Sequence, residues 1–456
     1  MDTHHAIRHP LALLREQSGL SHGAYAQLIA KTHAELGFGS MAARREKVAR
    51  WESGKVTPET SAQLAMAHLH DVPRSEVLRT GWPDWLYAAT GHSGLLTAPW
   101  TGAEALQALD RIARPAARAV KHRYDALSSE NGVADLVSSW RDAAAEHHGL
   151  PASSGRRIDG STVDVLEQNH RELHHLYTQL GAQAVRPSAD AGLRMVADLA
   201  RNSSCDQATR ARLLSLAASA AGFSGWLAFE AGDHLRAQSA FLAELRTAAA
   251  AGDPQVGACA MIQTAKQKLE LRDLAGTHLL LDAAERLCAS TRPSRRMSAL
   301  IAITAAAASA LQGDADATAR QIDTALTIDT TIRHDDDPCW TDWLTTEMLL
   351  FQAGNAYVYL GKADKGLDYL LPVFDTATAA ENMGDRDLAF GSIHIAMAHT
   401  SAGDVDEAIP WVRNVPEMLG RSPAFCVEEY YRSLLSKLNC HSQNSMVREF
   451  LDEQRN

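Results

Sequence analysis

Arg44, Arg45, Lys47 and Arg50 place four cations within one short stretch, and Lys55 follows just after Gly54. Fixed positive charges in such a cluster bind phosphate. An arginine fork can also bond both acceptors on a guanine edge, a contact that discriminates by ~1–3 kcal/mol. Val48 and Trp51 stand three apart, which puts them on one face of a helix and leaves the cations on the other. Gly54 ends that helix, and Pro58 suits the first turn of the next. The amino end of a helix lying in a major groove meets base edges. Arg44 and Arg45 therefore take reading positions, with Lys47 next, while Arg50 and Lys55 fall to phosphates. Glu46 either accepts from a cytosine amine or is solvated. The spacing of Trp51 from Val48 makes it core and not a stacking platform.

Other reactive residue types lead nowhere comparable. HRELHH at 170–175 sets His170 and His174 one helical turn apart, but Glu172 does not directly follow the first histidine and no third ligand is evident. His147-His148 is a chance pair among 20 histidines, and His334-Asp335-Asp336-Asp337 reads as a solvated acidic loop before Pro338. No phosphate-cradling glycine loop, nucleophile elbow or dinucleotide fingerprint occurs in a strand-to-helix setting. No catalytic residue, metal site or cofactor is expected, and an enzyme is disfavoured.

The elements that must position the cations are short helices. His9-Pro10 opens the first, with Leu11, Leu13 and Leu14 inward, and Ser18-Gly19 stops it. Ser21 caps the second, where Ala26, Ile29 and Ala30 share a stripe. Gly37 and Gly39 break it. The third runs from Ala43 to about Trp51. Pro58 begins a fourth, with Leu64, Ala65 and Leu69 inward. A glycine-bearing turn between the second and third makes a helix-turn-helix. LREQSGLS at 14–21 and VARWESGKVTP at 48–58 resemble the Cro/repressor-like (XRE) helix-turn-helix proteins, with Leu14, Arg15, Gly19, Leu20, Ser21, Trp51, Glu52, Gly54 and Pro58 in the pattern. The link HAELGFGSMA is several residues longer than the family's usual tight turn. The resemblance implies operator binding, commonly by dimers on half-sites one helical turn apart.

The rest of the chain repeats. Gly232-Asp233, Gly313-Asp314, Gly361-Lys362 and Gly403-Asp404 each end one apolar helix and start another, and Leu271-Arg272-Asp273 fills the missing place. Gly252-Asp253 and Gly384-Asp385 mark half-steps. The interval is that of a helix pair. GNAYVYLGKADKGLDYLL at 354–371 resembles a tetratricopeptide (TPR) unit through Gly354, Tyr357, Leu360, Gly361 and Gly366, and AMAHTSAGDVDEA at 396–408 is a weaker match. GWLAFEAGDHLRAQSAFLAELRTA at 225–248 is similar to the body of actinobacterial (Streptomyces-type) regulators that join such a head to TPR-like repeats. Several of these are linked to development and antibiotic production.

Projecting the inner TPR positions gives a concave wall of Trp226, Phe229, Met348, Phe351, Asn355, Tyr359, Phe390 and Met397. That wall either holds an apolar small molecule or a peptide, with Asn355 as its polar anchor, or is filled by the chain itself.

The expected organisation is all-α: a helix-turn-helix domain at 1–80, a helical connector at 81–160, an α-solenoid at 161–440 and a tail at 441–456. In the connector Trp82, Trp85 and Trp100 form either a ligand cage or a packed joint. The glycine- and serine-rich stretch 147–162 reads as a loop or boundary.

Charge divides along the same line. Residues 1–80 hold ten Lys/Arg against eight Asp/Glu, and the remainder 34 against 47, within a total of −11. A basic head on an acidic body fits a nucleic-acid reader with a regulatory domain. No run of eighteen apolar residues and no secretory leader is present, so no membrane partner is expected. Cys205, Cys259, Cys288, Cys339, Cys426 and Cys440 lie far apart, which reads as reduced thiols in a cytoplasmic protein. The expected partners are double-stranded operator DNA, a second copy of the chain, and a small-molecule or peptide effector. Repression is favoured over activation. The alternative is a TPR-like interaction scaffold without DNA readout.

Overall fold

The computed structural model describes residues 9–70, 72–83, 85–89, 95, 98–113, 132–146, 155–290, 294–334, 337–374 and 383–454. The fold is all-α. Among the described residues the extended pairing is one two-residue parallel bridge, Arg156–Arg157 with Ser203–Ser204. The chain forms two compact units, residues 1–99 with 120–136 and residues 100–119 with 137–456.

The first unit holds α1 (Pro10–Gln17), α2 (His22–Glu35), α3 (Arg45–Glu52), α4 (Thr60–Leu69), α5 (Arg74–Thr80) and α6 (Trp85–Ala89). His9 caps α1 through its ring nitrogen, and Ser21 Oγ accepts from Ala24 N to cap α2. Leu11, Leu14, Tyr25, Ile29, Val48, Trp51, Ala65 and Met66 close a common core. The side chain of Leu13 lies outside the described residues. Pro58 does not open α4, as the sequence pattern predicts. It stands ahead of the N-cap Glu59, and its carbonyl accepts from Gln63 Nε2 at 2.8 Å.

One ion pair ties this unit together. Arg15 Nε and Nη2 meet Glu52 Oε1 and Oε2 at 2.6 and 3.0 Å, and Arg15 Nη1 donates to the Leu20 carbonyl. Both side chains are buried. The guanidinium thus binds the last turn of α3 to α1 and to the loop entering α2.

The second unit begins with α7 (Gly102–Ala113), which packs on α9 (Gly160–Asn202) and α11 (His234–Ala251), and with most of α8 (Gly132–Glu146). Residues 81–160 are therefore not one connector. Trp85 and Leu86 are buried in the first core, whereas Trp100 lies under the Arg246 guanidinium, 4.5 Å from its ring centroid. The three tryptophans do not form a cage: Trp82 and Trp85 sit with their rings 6.1 Å apart in the first unit and Trp100 belongs to the second. Residues 147–154, including His147-His148, fall outside the described residues, as do Asp335 and Asp336.

The helices α10 (Gln207–Glu230), α11, α12 (Pro254–Glu270), α13 (Leu274–Ser290), α14 (Arg295–Gln312), α15 (Ala315–Leu326), α16 (Thr346–Tyr359), α17 (Ala363–Phe374), α18 (Asp385–Ala402) and α19 (Val405–Val412) then stack largely as antiparallel pairs. The apolar window of α10 is 83% buried by its neighbours. The turns between helices repeat one another. Asp233 N bonds Ala228 O, Asp253 N bonds Ala248 O, Asp273 N bonds Lys268 O, Asp314 N bonds Ser309 O, Lys362 N bonds Tyr357 O and Asp404 N bonds His399 O, all at 2.9–3.0 Å. Each is the long hydrogen bond of a Schellman turn, whose preceding residue must be left-handed. That residue is glycine throughout except Arg272, which holds φ +64°. Gly384-Asp385 differs from the other turns: Gly384 has φ −71°, outside the left-handed region, and is the N-cap of α18.

Small residues set the close approaches. A Cβ on Gly354 would lie 2.6 Å from Leu370, and one on Gly366 would lie 2.7 Å from Val358. After α20 (Val415–Arg421) and α21 (Phe425–Asn439), the segment expected to be a tail forms α22 (Ser445–Glu453), which buries Val447, Phe450 and Leu451 in the C-terminal core. Its amphipathic spacing was present in the sequence.

Replacing Arg15 by methionine leaves the Glu52 carboxylate buried without its main partner, at a cost of about 3 kcal/mol. Native-state hydrogen exchange of the α3 amides reads this unit separately from the other. Their opening free energy drops by about that amount in Arg15→Met and recovers in Arg15→Met/Glu52→Leu. Unchanged exchange in the single variant rules the tie out.

Candidate functional site

The basic segment is presented outward. Arg44, Arg45, Lys47, Arg50 and Lys55 are all exposed, while Val48 and Trp51, on the opposite face of α3, are buried. Arg44 is the N-cap and not a helical residue: its backbone is extended, and no side chain caps the first turn of α3. The partial positive charge of that helix end adds to the cationic field. Arg45 Nε lies 3.0 Å from Glu46 Oε1, with both side chains largely in solvent. The carboxylate of Glu46 is held below its ordinary range by its own backbone N–H and then by Arg45. An exposed pair of this kind contributes little, so Arg45 gives up little on turning to another acceptor. The long link from α2 is well fixed. Phe38 N bonds His33 O at 3.0 Å, Gly37 and Gly39 take positive φ, and the buried His33 ring meets the Gly39 carbonyl at 2.9 Å.

The second unit contains a cavity of about 1130 Å³, lined from α9, α10, α12, α14, α16, α17, α18, α20 and α21. Of the eight projected wall residues, Trp226, Phe229, Met348, Phe351, Tyr359 and Phe390 border it. Asn355 and Met397 do not. Asn355 is 2% exposed in the core, and its Oδ1 has no hydrogen-bond partner among the described residues. Met397 is packed into the C-terminal cluster with Val427 and Tyr431 of α21, which covers that face of α18.

Polar groups that the wall projection does not include carry the cavity's chemistry. Trp226 Nε1 donates to the Tyr177 hydroxyl at 2.8 Å, which donates to Glu230 Oε1 at 2.6 Å. Arg386 donates to both acceptors and pairs with Asp387 at 2.8 Å. Burial pushes the Glu230 carboxyl up, and Arg386 opposes the shift. On another part of the wall, Tyr430 donates to Glu270 at 3.1 Å and Tyr359 contacts Tyr430 at 3.2 Å. His394 Nε2 lies 3.1 Å from the Tyr359 hydroxyl and its Nδ1 2.8 Å from Phe390 O. Desolvation lowers His394 to about 4, which keeps the ring neutral.

Lys266 borders the cavity from α12. Its ammonium is 5.7 Å from the Trp226 ring centroid and 5.1 Å from that of Trp343. Desolvation, then Arg386, lowers it to about 8, against the pull of Glu270 and Glu230. A sequence signal for it exists. Lys266 stands six residues before Arg272, as Trp226 stands six before Gly232, so it occupies the Trp226 position one repeat on.

His170 and His174 lie against Phe223 with their Nε2 atoms 3.2 Å apart, and desolvation lowers both. One ring donates to the other. Among the described residues no group of three or more His, Cys, Asp or Glu is arranged to hold a metal.

A scan against protein-family models finds none that matches this chain, and a search of curated proteins returns no significant match.

The folded pKa of Lys266 lies below its unfolded value, so the unfolded chain binds more protons between about pH 8 and the ordinary lysine range. Stability therefore rises with pH across that window, and the ammonium is lost on passing about 8. In ¹³C-dimethylated protein, the resonance absent from Lys266→Met should titrate near 8, well before the other lysines. A midpoint above 10 contradicts the burial.

Proposed function

We propose that this chain is a sequence-specific DNA-binding transcriptional regulator, with a preference for repression, whose helix-pair body controls the head. The observation that carries this reading is the exposed row of Arg44, Arg45, Lys47, Arg50 and Lys55, backed by buried Val48 and Trp51 and anchored through Glu52 to Arg15. A rigid back with a cationic front is what a helix needs to enter a major groove in one register. The resemblance to XRE-type heads and to actinobacterial regulators with TPR-like bodies points the same way.

In this reading Arg44 and Arg45 reach base edges, Lys47 follows, and Arg50 and Lys55 meet phosphates. The head carries a small positive excess, so a single copy is weakly attracted to DNA, and a homodimer on paired half-sites doubles the attraction. The body supplies the dimer contact and houses an effector, a small molecule or a peptide, in the aromatic cavity. Such an effector acts only by favouring one arrangement of the protein over another.

Binding of the purified protein to its own promoter region, titrated with salt against unrelated DNA, tests this. Arg44→Ala/Arg45→Ala should lose at least tenfold in preference for the promoter, from bidentate contacts of ~1–3 kcal/mol each. Arg50→Ala and Lys55→Ala should weaken all sequences alike and reduce the salt slope by about one each. An unaltered preference in the double variant removes the reading residues. Salt-independent or absent DNA binding leaves the chain as an interaction scaffold.

A further inference from the structure

We propose that the cavity of the body binds a small amphiphilic carboxylate, with an apolar or aromatic portion against the ring-lined wall and its anionic end paired with Lys266. This rests on the reading of the cavity as an effector site, and it is tested without DNA.

Of the charged side chains lining the cavity, Arg171 and Glu347 are exposed and Asp342 pairs with Arg296 and Arg333, which leaves Lys266 as the half-buried cation to account for. Arg386 is shared by Glu230 and Asp387, Arg421 spans both oxygens of Asp385, and Glu270 accepts from Tyr430. Among the described residues no carboxylate lies within ion-pairing distance of the Lys266 ammonium, which instead faces the indoles of Trp226 and Trp343. A half-buried ammonium between two rings keeps part of its stabilisation through cation–π attraction but lacks a counter-ion. Its lowered pKa, about 8, reflects the same deficit. An incoming carboxylate corrects it. A cationic ligand would add repulsion from Lys266 and Arg386.

The remaining wall fixes the other end of the molecule. Met348, Phe390 and Leu269 are half-buried and offer apolar surface with no free polar atom for a ligand to match, while Phe229 and Phe351 are buried. The volume, about 1130 Å³, is slightly above the usual range for small-molecule sites. An extended peptide fits less well. Its amides need a series of side-chain partners, but Asn355 is buried away from the cavity and Tyr177, Tyr359, Tyr430 and Arg386 are bonded to neighbouring wall residues. Unpaired amides in such a place are costly.

The experiment uses the full chain without DNA. Decanoate and indole-3-acetate are the probes, decanol and decyltrimethylammonium the controls, with calorimetry and tryptophan fluorescence as readouts at pH 7. At least one carboxylate should bind saturably, one per chain, and at least tenfold tighter than either control. Lys266→Met should abolish that tenfold margin while leaving decanol unchanged, and Lys266→Arg should retain it. The charged groups nearest Lys266 are Arg386 from α18, Glu230 from α10 and Glu270 from its own helix. The margin should therefore shrink as pH rises past about 8 in the wild type but not in Lys266→Arg. If Lys266→Met does not fold, the Lys266→Arg comparison and the pH profile decide. Absence of saturable carboxylate binding, controls that bind as tightly, or a margin that survives in folded Lys266→Met overturns the proposal. Carboxylate binding by a protein that ignores its promoter overturns the regulator reading alone.

Discussion

The left-handed residue that closes a helix and the hydrogen bond that spans it govern the second unit more than any side-chain contact. In each turn the amide two residues beyond the last helical cap returns to a carbonyl five residues earlier, and the chain reverses within a few residues. An aspartate usually follows and caps the next helix: Asp233, Asp253 and Asp314 each accept from a backbone N–H in the first turn. The chain is thereby committed to successive antiparallel helices of similar length. Where Arg272 replaces glycine, the same φ is kept at the expense of some strain, which the surrounding packing must offset.

Once the turns are fixed, the cavity wall follows by helical periodicity. Trp226, Phe229 and Glu230 of α10 and Lys266, Leu269 and Glu270 of α12 stand at matching distances before their turns, so they present one face each to the same space. Antiparallel pairing then brings Phe351 and Tyr359 of α16 and Phe390 of α18 onto the wall. What the turns do not fix is where the wall ends. Arg386 does that by joining α18 to Tyr177 on α9 and Glu230 on α10, elements far apart in sequence. A guanidinium satisfied on two sides is difficult to displace, since removal would leave the buried Glu230 without its ion-pair partner.

The sequence disclosed the parts that obey local rules. Caps at Ser21 and Asp233, breakers at Gly37 and Gly54, and the repeated glycine-aspartate pairs act over three to six residues, and they could be read directly. The outward direction of the basic residues on α3 could also be read, because Val48 and Trp51 fix its rotation. The failures have a different cause. Asn355 and Met397 share the turn offset of Trp226, yet Asn355 is sunk in the core and α21 seals Met397. Periodicity gives a face; it does not say which later element covers it. The three connector tryptophans were separated for a similar reason, since proximity in sequence carried no information about the boundary at residue 99. The charged residues of the cavity escape an apolar repeat template, because the wall is partly polar.

Lys266 shows how such a template misleads. At its position the preceding repeat has tryptophan and the following one has Ala307. A bulky ring, a cation and a small residue in succession make no sense as a uniform packing rule. They fit the proposed ligand, whose apolar portion would lie along the rings and whose anionic end would stop at Lys266. A half-buried ammonium without an ion-pair partner lowers the stability of the body while it stays charged, as the direction of its titration requires. A ligand that supplies the missing anion stabilises the helices around it together, from α10 through α18. Because α10 and α12 belong to separate helix pairs, such a ligand would bridge more than one repeat. Any control of DNA binding by this unit must draw on a difference in affinity between two states of the protein, since a ligand bound equally well by both states shifts nothing.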